Sequence, residues 1–152
     1  MLGNEINDFY NKFRLHFFMK VFSKFENREA TLTTVESFSM EGIMALGEPT
    51  VSEFARMMGI SAPNAAYKIN SLIQKGYVEK IQSENDHREY HLRPTQKFMN
   101  YYNLNFEYLE TVTERIRGRF TDEDYKKLES MMHIINTELM PELDLDQFRG
   151  QD

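Results

Sequence analysis

The 152-residue chain contains no cysteine. That excludes disulfides, thiol nucleophiles, thiol redox sensing and cysteine-ligated zinc, and it suits a reducing cytosol. Long apolar runs are also missing. None approaches the roughly 20 residues needed to cross a bilayer. The opening MLGNEINDFY has neither the basic start nor the unbroken apolar core of a secretion signal. The expectation is a soluble cytoplasmic protein with no membrane partner. Catalytic equipment is equally sparse: there is no Gly-rich phosphate loop and no placeable Ser/His/Asp arrangement. Acidic pairs such as Asp122–Glu123 fall at a helix start, where capping accounts for them. No enzyme activity and no cofactor are expected. Internal repeats and low-complexity segments are absent.

What is present suffices for a core. The chain is 41% hydrophobic, with 12 Phe, 8 Tyr and 10 Met, which fits one domain with helical extensions. The net charge of −6 conceals a segregation. Between Thr50 and Lys97 seven bases face five acids, a local +2 that leaves −8 for the flanks. A mildly basic centre lies between acidic ends.

Periodicity and caps predict mostly helix. A first helix over Asn4–Glu26 carries two apolar stripes on nearly opposite sides. One runs Ile6, Tyr10, Phe13, Phe17, Val21, and the other Leu15, Phe18, Phe22, Phe25. Such a helix must be covered on both sides, and one side suits a second subunit. Thr33-x-x-Glu36 and Thr50-x-x-Glu53 read as capping boxes. The first opens a helix to Leu46 with Val35, Phe38, Gly42 and Leu46 on one face. The second opens a short helix that turns in Val51, Phe54, Ala55 and Met58 and stops at Gly59. Ser61 caps the next helix, which runs to Lys75, with Gly76 just beyond it. YVEKIQ and EYHLR read as a hairpin joined by SENDHR. Thr95 caps a long helix to about Gly118. Thr121 caps a last one, whose stripe is Tyr125, Leu128, Met132, Ile135 and Leu139. Pro141 ends it, and the acidic tail beyond reads as frayed. The predicted fold class is mainly α with a small β-hairpin wing: a winged helix-turn-helix over 33–95, flanked by helical dimerisation segments at 1–30 and 96–145.

The helix from Ala62 to Lys75 carries the functional signal. Ala62, Ala65, Ala66, Ile69, Leu72 and Ile73 are apolar at helical spacing. The opposite face presents Asn64, Tyr67, Lys68, Ser71 and Lys75, without an acid. Asn can pair bidentately with adenine, Lys can reach guanine or phosphate, and Ser or Tyr can bond phosphate. Ala62 and Ala65 are small enough to allow close approach and to touch a thymine methyl. A polar outer face alone describes many surface helices. The preceding short helix, the Gly59–Ser61 turn and the following hairpin make this one the reader of a helix-turn-helix.

The segment from Phe54 to Phe98 resembles the core of MarR-family transcriptional regulators. The order Gly59, Ser61, Leu72, Gly76, VEK, Asp86-His87-Arg88, PTQKF carries the likeness, although Pro94 and Phe98 stand where the pattern usually has Leu and Gly. The resemblance implies a homodimer, built from the terminal helices, that represses transcription at a palindromic site on double-stranded DNA. On this reading Asn64, Tyr67, Lys68 and Ser71 enter the major groove, Ser61 and Lys75 hold phosphates, and the wing tip Asp86, His87, Arg88 meets the minor groove. Asp86 would steady the extended Arg88 side chain. The resemblance also implies a small apolar or phenolic effector, for which His16, Met19, Met40, Met44 and Tyr101 are the candidate lining. Core packing of those methionines is the simpler account. His87, Glu89 and His91 alternate along the wing as metal ligands can, but a charged exposed strand explains them better, and no metal is expected. The rival reading is a winged-helix protein-interaction module that has lost DNA binding.

Overall fold

The computed structural model of the chain describes residues 1–24 and 32–150. Its elements run α1 (Leu2–Lys24), α2 (Thr34–Leu46), α3 (Val51–Met58), α4 (Ala62–Gln74), β1 (Val78–Gln82), β2 (Tyr90–Pro94), α5 (Gln96–Arg119) and α6 (Asp122–Glu138). Two 3-10 turns follow, Pro141–Leu143 and Leu145–Phe148. This is the mainly α chain with a β-hairpin that periodicity predicts. The expected end of the first helix at Glu26, with Phe25, and the side chain of Phe22 lie outside the described residues.

The chain forms two compact units: Met1–Ala30 with Tyr101–Leu143, and Thr31–Asn100 with Asp144–Asp152. In the second, local chemistry fixes the helix starts. Both capping boxes are complete. The Thr33 and Thr50 hydroxyls accept from the Glu36 and Glu53 backbone N–H groups, and each glutamate accepts from its threonine's N–H. Gly59 ends α3 at φ 66°, in the left-handed region a Cβ disfavours. Ser61 caps α4, with Pro63 in its first turn. Met40, Ile43, Leu46, Phe54, Ala65, Ile69, Leu72, Tyr77, Val78, Leu92 and Phe98 make the core. Gly42 is buried against Met57, whose thioether occupies the space a side chain at 42 would need. Val35 and Phe38, expected on the inner face of α2, are instead exposed, because the buried face turns through Ser39, Met40, Ile43 and Leu46.

The hairpin is antiparallel, from Val78 opposite Pro94 to Gln82 opposite Tyr90. The α2–α3 linker joins it: Leu92 donates to the Pro49 carbonyl at 2.8 Å, and Thr50 bridges to His91. Thr95 does not cap α5. Its hydroxyl donates to the Gly76 carbonyl and its N–H to the Tyr77 carbonyl, which closes the stem of the wing.

Burial pushes the Glu53 carboxyl up, but hydrogen bonds from Thr50 and Gly150 and the charge of Arg56 outweigh it, so its pKa lies below the usual glutamate value. A lowered folded-state pKa stabilises above the unfolded value and is lost as pH falls through the folded one. Thr50→Ala is expected to cost about 1 kcal/mol, and Thr50→Ser much less, since serine keeps the cap. Urea midpoints at unchanged m-value measure this; equal midpoints for Thr50→Ala and wild type would refute the cap's role.

In the first unit an aromatic series joins α1 to α5. Phe13 and Tyr108 lie 5.1 Å apart, His16 stacks on Tyr108 at 3.6 Å, and Phe17 meets Tyr101 edge-on at 5.3 Å. The rest is open. Leu15, Phe18 and Met19 of α1 are exposed, and α6 buries no residue at all, leaving Leu128, Met131, Met132 and Ile134 in solvent, with Leu139 just past its end exposed too. Among the described residues, no helix is long and apolar enough to cross a membrane.

Candidate nucleic-acid interface

α3 and α4 pack through Phe54, Ala55, Ala65, Ile69 and Leu72, and that packing orients α4's other side outward. Asn64 is exposed and Tyr67 is 79% exposed, while Lys68 is half-buried. Ser61 and Ala62 are exposed at the helix start. These side chains form one face without an acid.

Three expected contacts are altered. Ala65 is fully buried, so it belongs to the α3–α4 core and cannot touch a base. Lys75 donates to both carboxylate oxygens of Glu36, at 2.7 and 2.8 Å, and Ser71 donates to one of them at 3.3 Å. Both therefore belong to an α2–α4 tie. Glu36 is in turn lowered: burial raises it, but Lys75, the Thr33 N–H and Ser71 together prevail.

On the wing, the Asp86 carboxylate accepts from the Arg88 backbone N–H at 3.0 Å. It shapes the turn and does not steady the Arg88 side chain. Ser83 reinforces the turn from the other side. Arg88 is exposed, and its guanidinium makes no ion pair among the described residues. His87 is exposed; its carbonyl accepts from Gln82 at 2.7 Å. His91 Nδ1 donates to the Glu48 carbonyl at 2.8 Å, and Arg93 pairs with the Glu48 carboxylate. His91 is thus part of the seam between linker and wing. No cluster of three or more His, Asp or Glu suited to a metal occurs among the described residues.

Sequence reasoning overlooked a cleft of about 400 Å³ between the start of α3 and the wing. Thr50, Val51 and Ser52 line one side, and Lys80, Asp86, Arg88, Glu89 and Tyr90 the other. Lys80 of β1 and Thr50, the cap of α3, both line it.

Residues 42–89, which take in the end of α2, α3, α4, β1 and the turn of the wing, match the model described as MarR family. Over these residues the lobe resembles the MarR family. Solved structures share the fold over nearly the whole chain. Streptococcus pneumoniae FabT in complex with DNA is 20% identical, covering 93% of this chain and 99% of its own, with a TM-score of 0.59. A transcriptional regulator from Thermotoga maritima, Tm0710, is 17% identical over 91% of this chain and 96% of its own, at 0.60. S. aureus MepR bound to ethidium bromide is 9% identical over 92% and 97%, at 0.61. At these identities the likeness is one of fold. No curated protein sequence matches the chain. Asn64, Tyr67 and Lys68 of α4 and Arg88 of the wing turn all fall within the matched residues.

The residues considered for an effector are dispersed. Met40 is fully buried core and leaves any pocket lining. Met44 borders a cavity of about 280 Å³ with Ile43, Arg93 and Met99. Met19 is 71% exposed, and Tyr101 is buried against Phe17. His16 lines a cavity of about 540 Å³ in the first unit with Lys20, Ser23, Tyr108 and Arg115. Its Nδ1 is buried and has no hydrogen-bond partner among the described residues.

Proposed function

We propose that this chain is a MarR-type regulator, a homodimeric, sequence-specific DNA-binding repressor whose two α4 helices read half-sites of a palindromic operator. The observation that carries the reading is the outer face of α4, where Asn64, Tyr67 and Lys68 stand exposed or half-exposed on a helix with no acid of its own. Arg88 at an exposed, rigidly turned wing tip supports it, since arginine suits a narrow, negative minor groove. The uncovered apolar faces of α1 and α6 support a second copy as partner. FabT and MepR have been solved with DNA and with ethidium bromide respectively, which supports both nucleic acid and small-ligand binding for this fold. For this chain the 540 Å³ cavity suits a small planar ligand stacked beside His16 and Tyr108, with Lys20 and Arg115 to accept an acidic or phenolic group.

Fluorescence anisotropy on the chain's own upstream intergenic duplex tests the reading. Lys68→Ala and Arg88→Ala are each expected to weaken binding by about tenfold or more and to reduce the salt slope by about one if each meets a phosphate. If both bind like wild type at several salt concentrations, the assignment fails. The protein-interaction reading gains from Glu36, which neutralises Lys75. It predicts no salt-dependent binding to any duplex, so the same titration separates the two.

A further inference from the structure

The tail beyond Pro141 is not frayed. It returns to the helix-turn-helix lobe and grips two of its helices. Arg56 Nε on α3 donates to the Phe148 carbonyl at 3.3 Å. The Arg149 guanidinium donates to Asp146 at 3.0 Å and to the Ala45 carbonyl of α2 at 3.4 Å. The Gly150 N–H donates to Glu53 Oε2 at 3.1 Å, and Gly150 itself sits at φ 62°.

Each contact answers a need of the lobe. Ala45 lies in the last turn of α2, whose carbonyls lack helical partners and attract a cation. That turn contains no basic residue of its own, so Arg149 supplies the charge from 104 positions away. The Glu53 carboxylate caps α3 with one oxygen and anchors the tail with the other. Closing loops of this length carries an entropic cost, so three such bonds mark a docked segment.

We propose that residues 144–150 are a C-terminal clamp that fixes α3 against α2, and that Arg149 and Arg56 are its positioning residues for DNA reading by α4. The inference rests on the DNA-binding proposal above. α4 takes its orientation from its packing on α3, and small displacements of contact groups lose binding out of proportion to their size.

The test uses full-length protein carrying Arg149→Ala, Arg149→Lys or Gly150→Pro. Lysine keeps the charge but not the two-pronged geometry. Proline removes the N–H and cannot adopt φ 62°. Hydrogen exchange without DNA is expected to speed about fivefold or more in α3 and the last turn of α2 for Arg149→Ala and Gly150→Pro, with α6 unchanged. Affinity for the upstream duplex should drop about three- to tenfold in both, and Arg149→Lys should recover part of it. Unchanged α3 exchange overturns the clamp. Faster exchange with unaltered affinity overturns the positioning role. If wild type itself binds no duplex, the DNA reading fails while the exchange data still decide whether the clamp exists.

Discussion

A Met131→Glu, Ile134→Glu double variant is expected to sediment as a monomer and to lose about a hundredfold or more in affinity for the upstream duplex. Both side chains lie on α6, a helix of 17 residues that buries none of them in the lone chain. They are about half exposed, more so than Leu128 and Met132 beside them, so their replacement disturbs the protomer's own packing least. Apolar surface removed from water contributes about 25 cal/mol per Å². Five exposed apolar residues on and just beyond α6, with the open face of α1, are substantial if a second copy covers them. Two carboxylates per subunit, buried without partners, would oppose association strongly. Linked half-sites gain about 10² to 10⁴ in avidity over one alone. A monomer that retains wild-type affinity would refute bivalent reading. A dimer that persists would move the interface elsewhere.

The helix-turn-helix was legible because its signals are local. Thr33 with Glu36, Thr50 with Glu53, Ser61 and Thr121 each cap within three residues of themselves, and the structure uses all four. Periodicity likewise identified Phe54, Ile69 and Leu72 as core. The misreadings come from long-range competition for polar groups. Lys75 looked free on its own helix until Glu36, 39 positions earlier, was brought beside it. Ala65 fits either a core or a groove-facing position by size, and its register with Ile69 and Leu72 decides for the core. Thr95 has the composition of a cap but spends its hydroxyl on Gly76. The tail reads as disordered by charge alone, yet it docks mainly through backbone groups at Phe148 and Gly150, which leave no compositional trace. Val35 and Phe38 remain exposed, and periodicity cannot tell a surface awaiting a partner from a core face.

Phe54→Ala is expected to destabilise the lobe by about 3–5 kcal/mol, which for a domain of ordinary stability approaches the whole margin. Phe54 is fully buried at the centre of α3, an eight-residue helix too short to persist without packing. α3 packs on α4 and β2, whose Ile69, Leu72 and Leu92 are fully buried too, so one cavity would loosen both the reader and the wing. Phe54→Leu keeps most of the volume and should cost under about 1.5 kcal/mol. The distinguishing measurement is urea unfolding followed by Tyr fluorescence, with exchange in α6 read alongside. An alanine variant as stable as leucine's would mean that α3 is held by its caps and the clamp instead of its core. The expected order, wild type above leucine and leucine well above alanine, makes packing the force that fixes α4, with the capping boxes and the clamp setting only its direction.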